Sequence, residues 1–155
     1  MSRLPVIPGD ASPAVSGPAD ALEVGKRPGV HADLGDEDLE GVLVAFYAAV
    51  ADDPLLARYF AVVDMAAHMP RIVAFWSTML FHTGRYSGNA FRPHQSMPGL
   101  TAEHFRHWVT TLERTVDARF AGEYTERMKD LAHRIAYSMQ LRLGITPSEE
   151  YRSDF

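Results

Sequence analysis

In four stretches of this chain, apolar side chains recur every three or four residues, and in none do they alternate. In DEDLEGVLVAFYAAVADD, Leu39, Val42, Leu43, Phe46, Tyr47 and Val50 fall at i, i+3, i+4, i+7, i+8 and i+11. Side chains three and four apart share one face of a helix, whereas a half-buried strand repeats every second residue. The spacing therefore predicts a helix with one buried stripe. Asp36, Glu37 and Asp38 stand at its start, where negative charge suits the helix dipole. With no strand-like segment anywhere, the fold class is all-α.

The other helices follow from the same signal. Asp53-Pro54 reads as an N-cap and first helical residue opening the short piece PLLARYF. A third helix is predicted over 64–81, with Met65, Ile72, Phe75, Trp76, Met79 and Leu80 as its apolar face and His68 on or beside it. Pro70 removes a backbone donor there, so it should kink the helix or delay its regular part. HTGRYSGN breaks the pattern with Gly84, Gly88 and Asn89. FRPHQSMPG, residues 91–99, sets His94 directly after Pro93 and shortly before Pro98, which leaves no room for a long helix. Thr101 is the predicted N-cap of a fourth helix carrying Phe105, Trp108, Val109, Leu112, Val116 and Phe120. A fifth starts near Tyr124, carries Met128, Leu131, Ile135 and Met139, and stops at Gly144 before Pro147.

Composition narrows the functions. A chain of 155 residues suits one domain with a sizeable core. Its net charge of −5 argues against a nucleic-acid or anionic-membrane partner, since both call for a basic footprint. The absence of cysteine excludes disulfides, thiol catalysis and Cys-ligated metal sites. No apolar run reaches transmembrane length, and MSRLPVIPGD has no hydrophobic region of the signal-peptide kind, so the expected location is the cytoplasm. Residues 1–33 hold half of the ten prolines and show no helical or strand period. They read as a flexible or loosely packed tail. Residues 34–145 then form the folded domain, and 146–155 a C-terminal tail.

Several residues could carry chemistry. His68 and His94 stand out among the histidines, and Tyr47, Trp76 and Trp108 bring polar atoms onto apolar faces, where a buried O–H or N–H needs a partner. Each also has a plain structural explanation: a cap, a surface histidine, a core aromatic bonded to a carbonyl. His104 and His107 form an H-x-x-H pair, but no glutamate completes a metalloprotease motif, and both read as partly exposed residues flanking Phe105 and Trp108. There is no glycine-rich phosphate loop, and GRYSG is not a nucleophile elbow.

Taken together, the residues resemble a family. From about Asp36 to Leu143 the chain resembles the group III truncated haemoglobins. The resemblance rests on AFYAAV with Tyr47, on RYF with Phe60 and on the H-x-x-x-I-x-x-F-W pattern of residues 68–76. It extends to G-x-Y-x-G at 84–88 running into His94, and to HW with Trp108. Gly-Gly signals of groups I and II are missing, as they are in group III. The proline-rich tail and Pro70 depart from the family pattern.

The resemblance implies a globin-like two-over-two helical sandwich around haem b. His94 matches the proximal iron ligand, a role that needs a neutral imidazole with its second ring nitrogen held by a carbonyl or water. Tyr47 and Trp108 match the distal pair that would donate hydrogen bonds to a bound gas, each contributing about 1–3 kcal/mol to a charged acceptor. His68 matches a distal position that gates the pocket, contacts ligand or binds iron itself. Phe60 and Ile72 would wall the haem, Trp76 would pack near its edge, and Tyr86 and Arg92 would meet the haem propionates.

The resemblance thus implies a haem protein that binds O2, NO or CO. A second hypothesis is NO dioxygenation or peroxidase-like chemistry on the same residues, with electrons from an external reductase because the chain has no flavin or nicotinamide domain. Arg71, three residues from His68, is a candidate partner for a peroxidase-like pair, although a helical arginine is usually just solvated. A third is a helical interaction domain without cofactor, which predicts no joint use of Tyr47 and His94.

Overall fold

The computed structural model describes residues 32–148. Residues 1–31 and 149–155, where nearly all of the expected N-terminal tail and most of the C-terminal one fall, lie outside them. After a 3-10 turn at Asp36–Asp38 come α1 (Leu39–Ala51), α2 (Ala57–Phe60) and α3 (Met65–Phe81). A second 3-10 helix (Arg92–Ser96) is followed by α4 (Ala102–Asp117) and α5 (Glu123–Arg142). No strand forms among the described residues.

The four long helices pack against one another. The connection between α4 and α5 is short, and the two pack against each other as neighbours. α1 packs on both α3 and α4, and α3 also touches α5. The predicted stripe on α1 is real: Leu39, Val42, Leu43, Phe46 and Val50 are buried, while Tyr47 on its flank is only half-buried.

Two expectations about α3 need correction. The helix runs unbroken from Met65 to Phe81 through Pro70, so the proline neither ends nor delays it. Pro70 and Ala66, whose carbonyl loses its donor, are both exposed, so water satisfies what the ring removes. Helix start is set instead by Asp64, whose carboxylate accepts from the Ala67 N–H at 3.2 Å. Met79 is 43% exposed and not part of the buried face. Ser77 takes an inward place, its hydroxyl bonded to Thr83 at 2.7 Å and to the Arg85 guanidinium at 2.8 Å. A similar departure affects PLLARYF, where residues 54–56 form a turn and regular helix begins only at Ala57.

Asp33 is built into the domain. Its carboxylate accepts from the backbone N–H groups of Tyr124 and Thr125 at 3.0 Å each, and from the Thr125 hydroxyl at 3.0 Å. This satisfies donors at the start of α5 that the helix cannot use itself. Gly122 permits the approach, because a Cβ there would lie 2.4 Å from the Asp33 carboxyl carbon.

The core comes in two pieces. One gathers the α1 stripe with Trp76, Leu80, Leu112, Val116 and Met128. The other is smaller: Phe105, Val109, Ala136 and Met139. Trp108 and Ile135 pack against both. Protein interiors are normally close-packed with few voids larger than a water molecule, so a core divided in this way is a place to look for a cavity.

Candidate functional site

Between the two core pieces lies a cavity of about 340 Å3, within the roughly 300–1,000 Å3 of small-molecule and cofactor pockets. Phe60, Ile72, Phe75, Phe105, Ile135 and Met139 make much of its wall apolar. Tyr47, His68, Trp76, Tyr86, His94 and Trp108 also line it, so nearly every residue singled out in the sequence meets here.

His94 sits in the 3-10 helix Arg92–Ser96, with Pro93 near its start and its own backbone N–H bonded to the Phe91 carbonyl at 3.0 Å. Its ring Nδ1 lies 3.0 Å from the Ala90 carbonyl oxygen. A carbonyl only accepts, so Nδ1 carries the proton and Nε2 keeps its lone pair. Burial holds the imidazole below the usual histidine range, partly offset by the bond to Ala90. The result is a neutral histidine on the cavity wall with one ring nitrogen anchored and the other open.

His104 is the instructive contrast. It is buried at 6% exposure, not partly exposed as its place beside Phe105 suggested. The reason is a cap: the Thr101 backbone N–H donates to His104 Nδ1 at 3.0 Å, and the Thr101 hydroxyl lies 2.9 Å from the same atom. An N–H only donates, so here the lone pair on Nδ1 is consumed and the proton is on Nε2. Burial lowers the tendency of His104 to charge, and the nearby Arg58 adds to this. His104 also lines the cavity, but in this tautomer it has no lone pair to offer a metal. His107 turns instead to Asp53 at 2.8 Å and Glu103 at 3.1 Å. Among the described residues no group of three or more His, Cys, Asp or Glu side chains could hold a metal ion.

On α1 and α4, Tyr47 and Trp108 meet. Burial pushes the Tyr47 phenol up to about 12, against the partial relief of a hydrogen bond from the Trp108 indole. Tyr47 therefore keeps its proton at neutral pH. Phe46 backs both rings, edge-on at 4.6 Å from Tyr47 and 5.8 Å from Trp108. Phe60 on α2 leans on Tyr47 at 5.6 Å.

At the rim the structure differs from the expected propionate contact. Arg92 is exposed and does not line the cavity, whereas Arg71 does. A Cβ on Gly88 would lie 3.0 Å from the Tyr86 hydroxyl and 3.5 Å from Arg71 Nη2, so the phenol and the guanidinium converge there. Tyr86 is steadied by Phe75, edge-on at 5.4 Å, and by its own N–H bond to the Thr78 hydroxyl at 2.9 Å. The signal for Arg71 was its place one residue before Ile72, which set it at the edge of a cavity-facing stripe. His68, exposed, stands one turn earlier on the same helix. Trp76 is 2% exposed and packs edge-on to Phe75 at 5.8 Å.

The arrangement can be set beside known proteins. No family model matches the sequence, and no curated protein matches it. Among solved structures, the fold is similar to that of the group III truncated hemoglobin from Campylobacter jejuni, with a TM-score of 0.65 and 24% identity. The match spans 71% of this chain and 91% of that one. The all-α fold is thus the truncated-globin fold. No helix of the described residues is long and apolar enough to cross a membrane.

Proposed function

We propose that this protein holds haem b in the cavity through His94 and binds a diatomic gas, O2, NO or CO, beside Tyr47. One observation carries the reading: a void dividing the core, with a neutral histidine's open Nε2 and a Tyr–Trp pair both on its wall. The fold likeness supports it. The residues fit such a group. Phe60, Ile72 and Trp76 offer apolar wall to a flat macrocycle, and Arg71 with Tyr86 offers a guanidinium and a phenol to its carboxylates. In this reading Arg71 replaces Arg92 as the propionate partner.

When bound, the haem iron supplies the coordination position at which the gas is held. His94 would hold the iron through its free ring nitrogen, and the Ala90 carbonyl fixes the ring's tautomer and aim. Tyr47 would donate a hydrogen bond, keeping its proton, to the bound gas. Because the Trp108 indole donates to Tyr47, it strengthens that phenol as a donor instead of reaching the ligand itself. His68, at the exposed end of the cavity, gates access. An external reductase would keep the iron reduced. NO dioxygenation would use these same residues, but a peroxidase-like reading gains no support, since Arg71 converges on Tyr86.

Titration with haemin tests the assignment. The wild type and His104→Gln should both develop an intense band near 400 nm, roughly where protohaem proteins absorb. His94→Ala should bind haemin weakly or not at all. Equal loss in His94→Ala and His104→Gln would mean that the tautomer argument picked the wrong histidine.

A further inference from the structure

One contact joins a residue of the cavity wall to the segment that follows the His94 turn. Tyr59, on α2, donates its hydroxyl to the Pro98 carbonyl at 2.5 Å, across 39 residues of chain. The Tyr59 hydroxyl oxygen accepts from Arg58 Nη2 at 2.7 Å, and the Arg58 guanidinium lies 4.6 Å over the Tyr59 ring. The ring meets His104 edge-on at 5.4 Å. Gly99 makes this seat possible. Its φ is +78°, and a Cβ there would come 3.0 Å from Arg58 Nη2 and 3.5 Å from the Tyr59 oxygen.

The elements on either side give this bond its reach. α2 is a single short helix, Ala57–Phe60, so Tyr59 and its neighbour Phe60 move together. Phe60 rests on Tyr47, on the gas-binding wall. Pro98 directly follows Met97, whose N–H bonds the His94 carbonyl at 3.2 Å and so caps the turn that carries the histidine. A continuous chain of contacts therefore runs from Tyr47 through Phe60 and Tyr59 to Pro98 and back to His94. Contacts within one turn or one helix cannot fix the distance between opposite walls, whereas this bond ties them directly.

We propose that Tyr59 is a positioning residue: its bond to Pro98 sets the aim of His94 relative to the Tyr47 wall. The inference rests on the haem reading above. It concerns the strain and orientation of the histidine, not the identity of the ligand.

The test compares wild type, Tyr59→Phe and Gly99→Ala after loading with haemin. Tyr59→Phe keeps the ring against His104 and removes only the hydroxyl. Gly99→Ala crowds the same pair from the other side. The decisive readout is the iron–imidazole stretching band of the reduced proteins by resonance Raman. A second readout is the rate at which haem transfers to excess apomyoglobin. In Tyr59→Phe the band is expected to move or broaden, with haem lost about fivefold to tenfold faster, as expected for one hydrogen bond. Gly99→Ala should disturb the band in the same way. An unmoved band in Tyr59→Phe overturns the proposal whatever the rate of haem loss, because a merely structural contact could loosen the pocket without re-aiming the ring. Wild type that takes up no haemin overturns the haem reading itself, and this inference with it.

Discussion

At the scale of single residues, the protonation of two histidines decides what each can do. His94 spends its proton on a carbonyl and keeps a lone pair, whereas His104 spends its lone pair on a backbone N–H. Two prolines made His94 stand out in the sequence and the family resemblance supplied its expected role, but sequence could not show that His104 is buried, since that follows from cap geometry around Thr101. Both histidines resist protonation in the folded chain. A histidine whose folded value lies below its unfolded one, near 6.5, contributes stability that is complete above that value and is lost as pH falls through it towards the folded value. The melting temperature of the haem-free protein should therefore fall as pH drops from 7 to 5. His94→Gln should flatten that slope, and an identical slope in the variant would contradict the burial argument. Tyr47 carries a second expectation at this scale. Tyr47→Phe should speed O2 dissociation by about tenfold to a hundredfold in stopped-flow measurements, the loss of one hydrogen bond to a charged acceptor. Trp108→Phe should speed it less, because its N–H acts through Tyr47; a larger effect for Trp108→Phe would reverse their roles.

Among the elements, the four long helices were readable because each buries a stripe at helical spacing, and tertiary packing did not override it. What escaped was decided by solvent and by distant partners. Pro70 sits where its missing bond leaves an exposed carbonyl open to water, so it does not interrupt the helix. Arg71 reads in sequence as an ordinary solvated helical arginine, because a long side chain's head can lie far from its backbone. The fold brings Gly88 and Tyr86 to it. Asp33 belongs to the same class, since its partners lie more than 90 residues away on α5. Burial raises the Asp33 carboxyl's proton affinity, but bonds from Tyr124, Thr125 and Leu34 outweigh this and hold it below the ordinary range. Asp33→Ala should cost about 1 kcal/mol in denaturant unfolding near neutral pH, as for other lost N-terminal helix caps. The difference should shrink as pH falls below about 4, where the carboxylate is protonated and its contribution lost. An unchanged unfolding midpoint would show that α5 begins without its help.

The whole molecule is organised around a gap. Two core pieces share Trp108 and Ile135, and the void between them collects the histidine, the tyrosine and the rim arginine from different helices and turns. A helical interaction module gives no reason for His94 and Tyr47 to line the same pocket. The most direct measurement of the account is the visible spectrum of the haemin-loaded, reduced protein before and after CO. A single intense band that sharpens and shifts on CO addition, and that is missing from His94→Ala, is the result the account predicts. A protein that stays colourless with haemin, or whose reduced spectrum ignores CO, would contradict it.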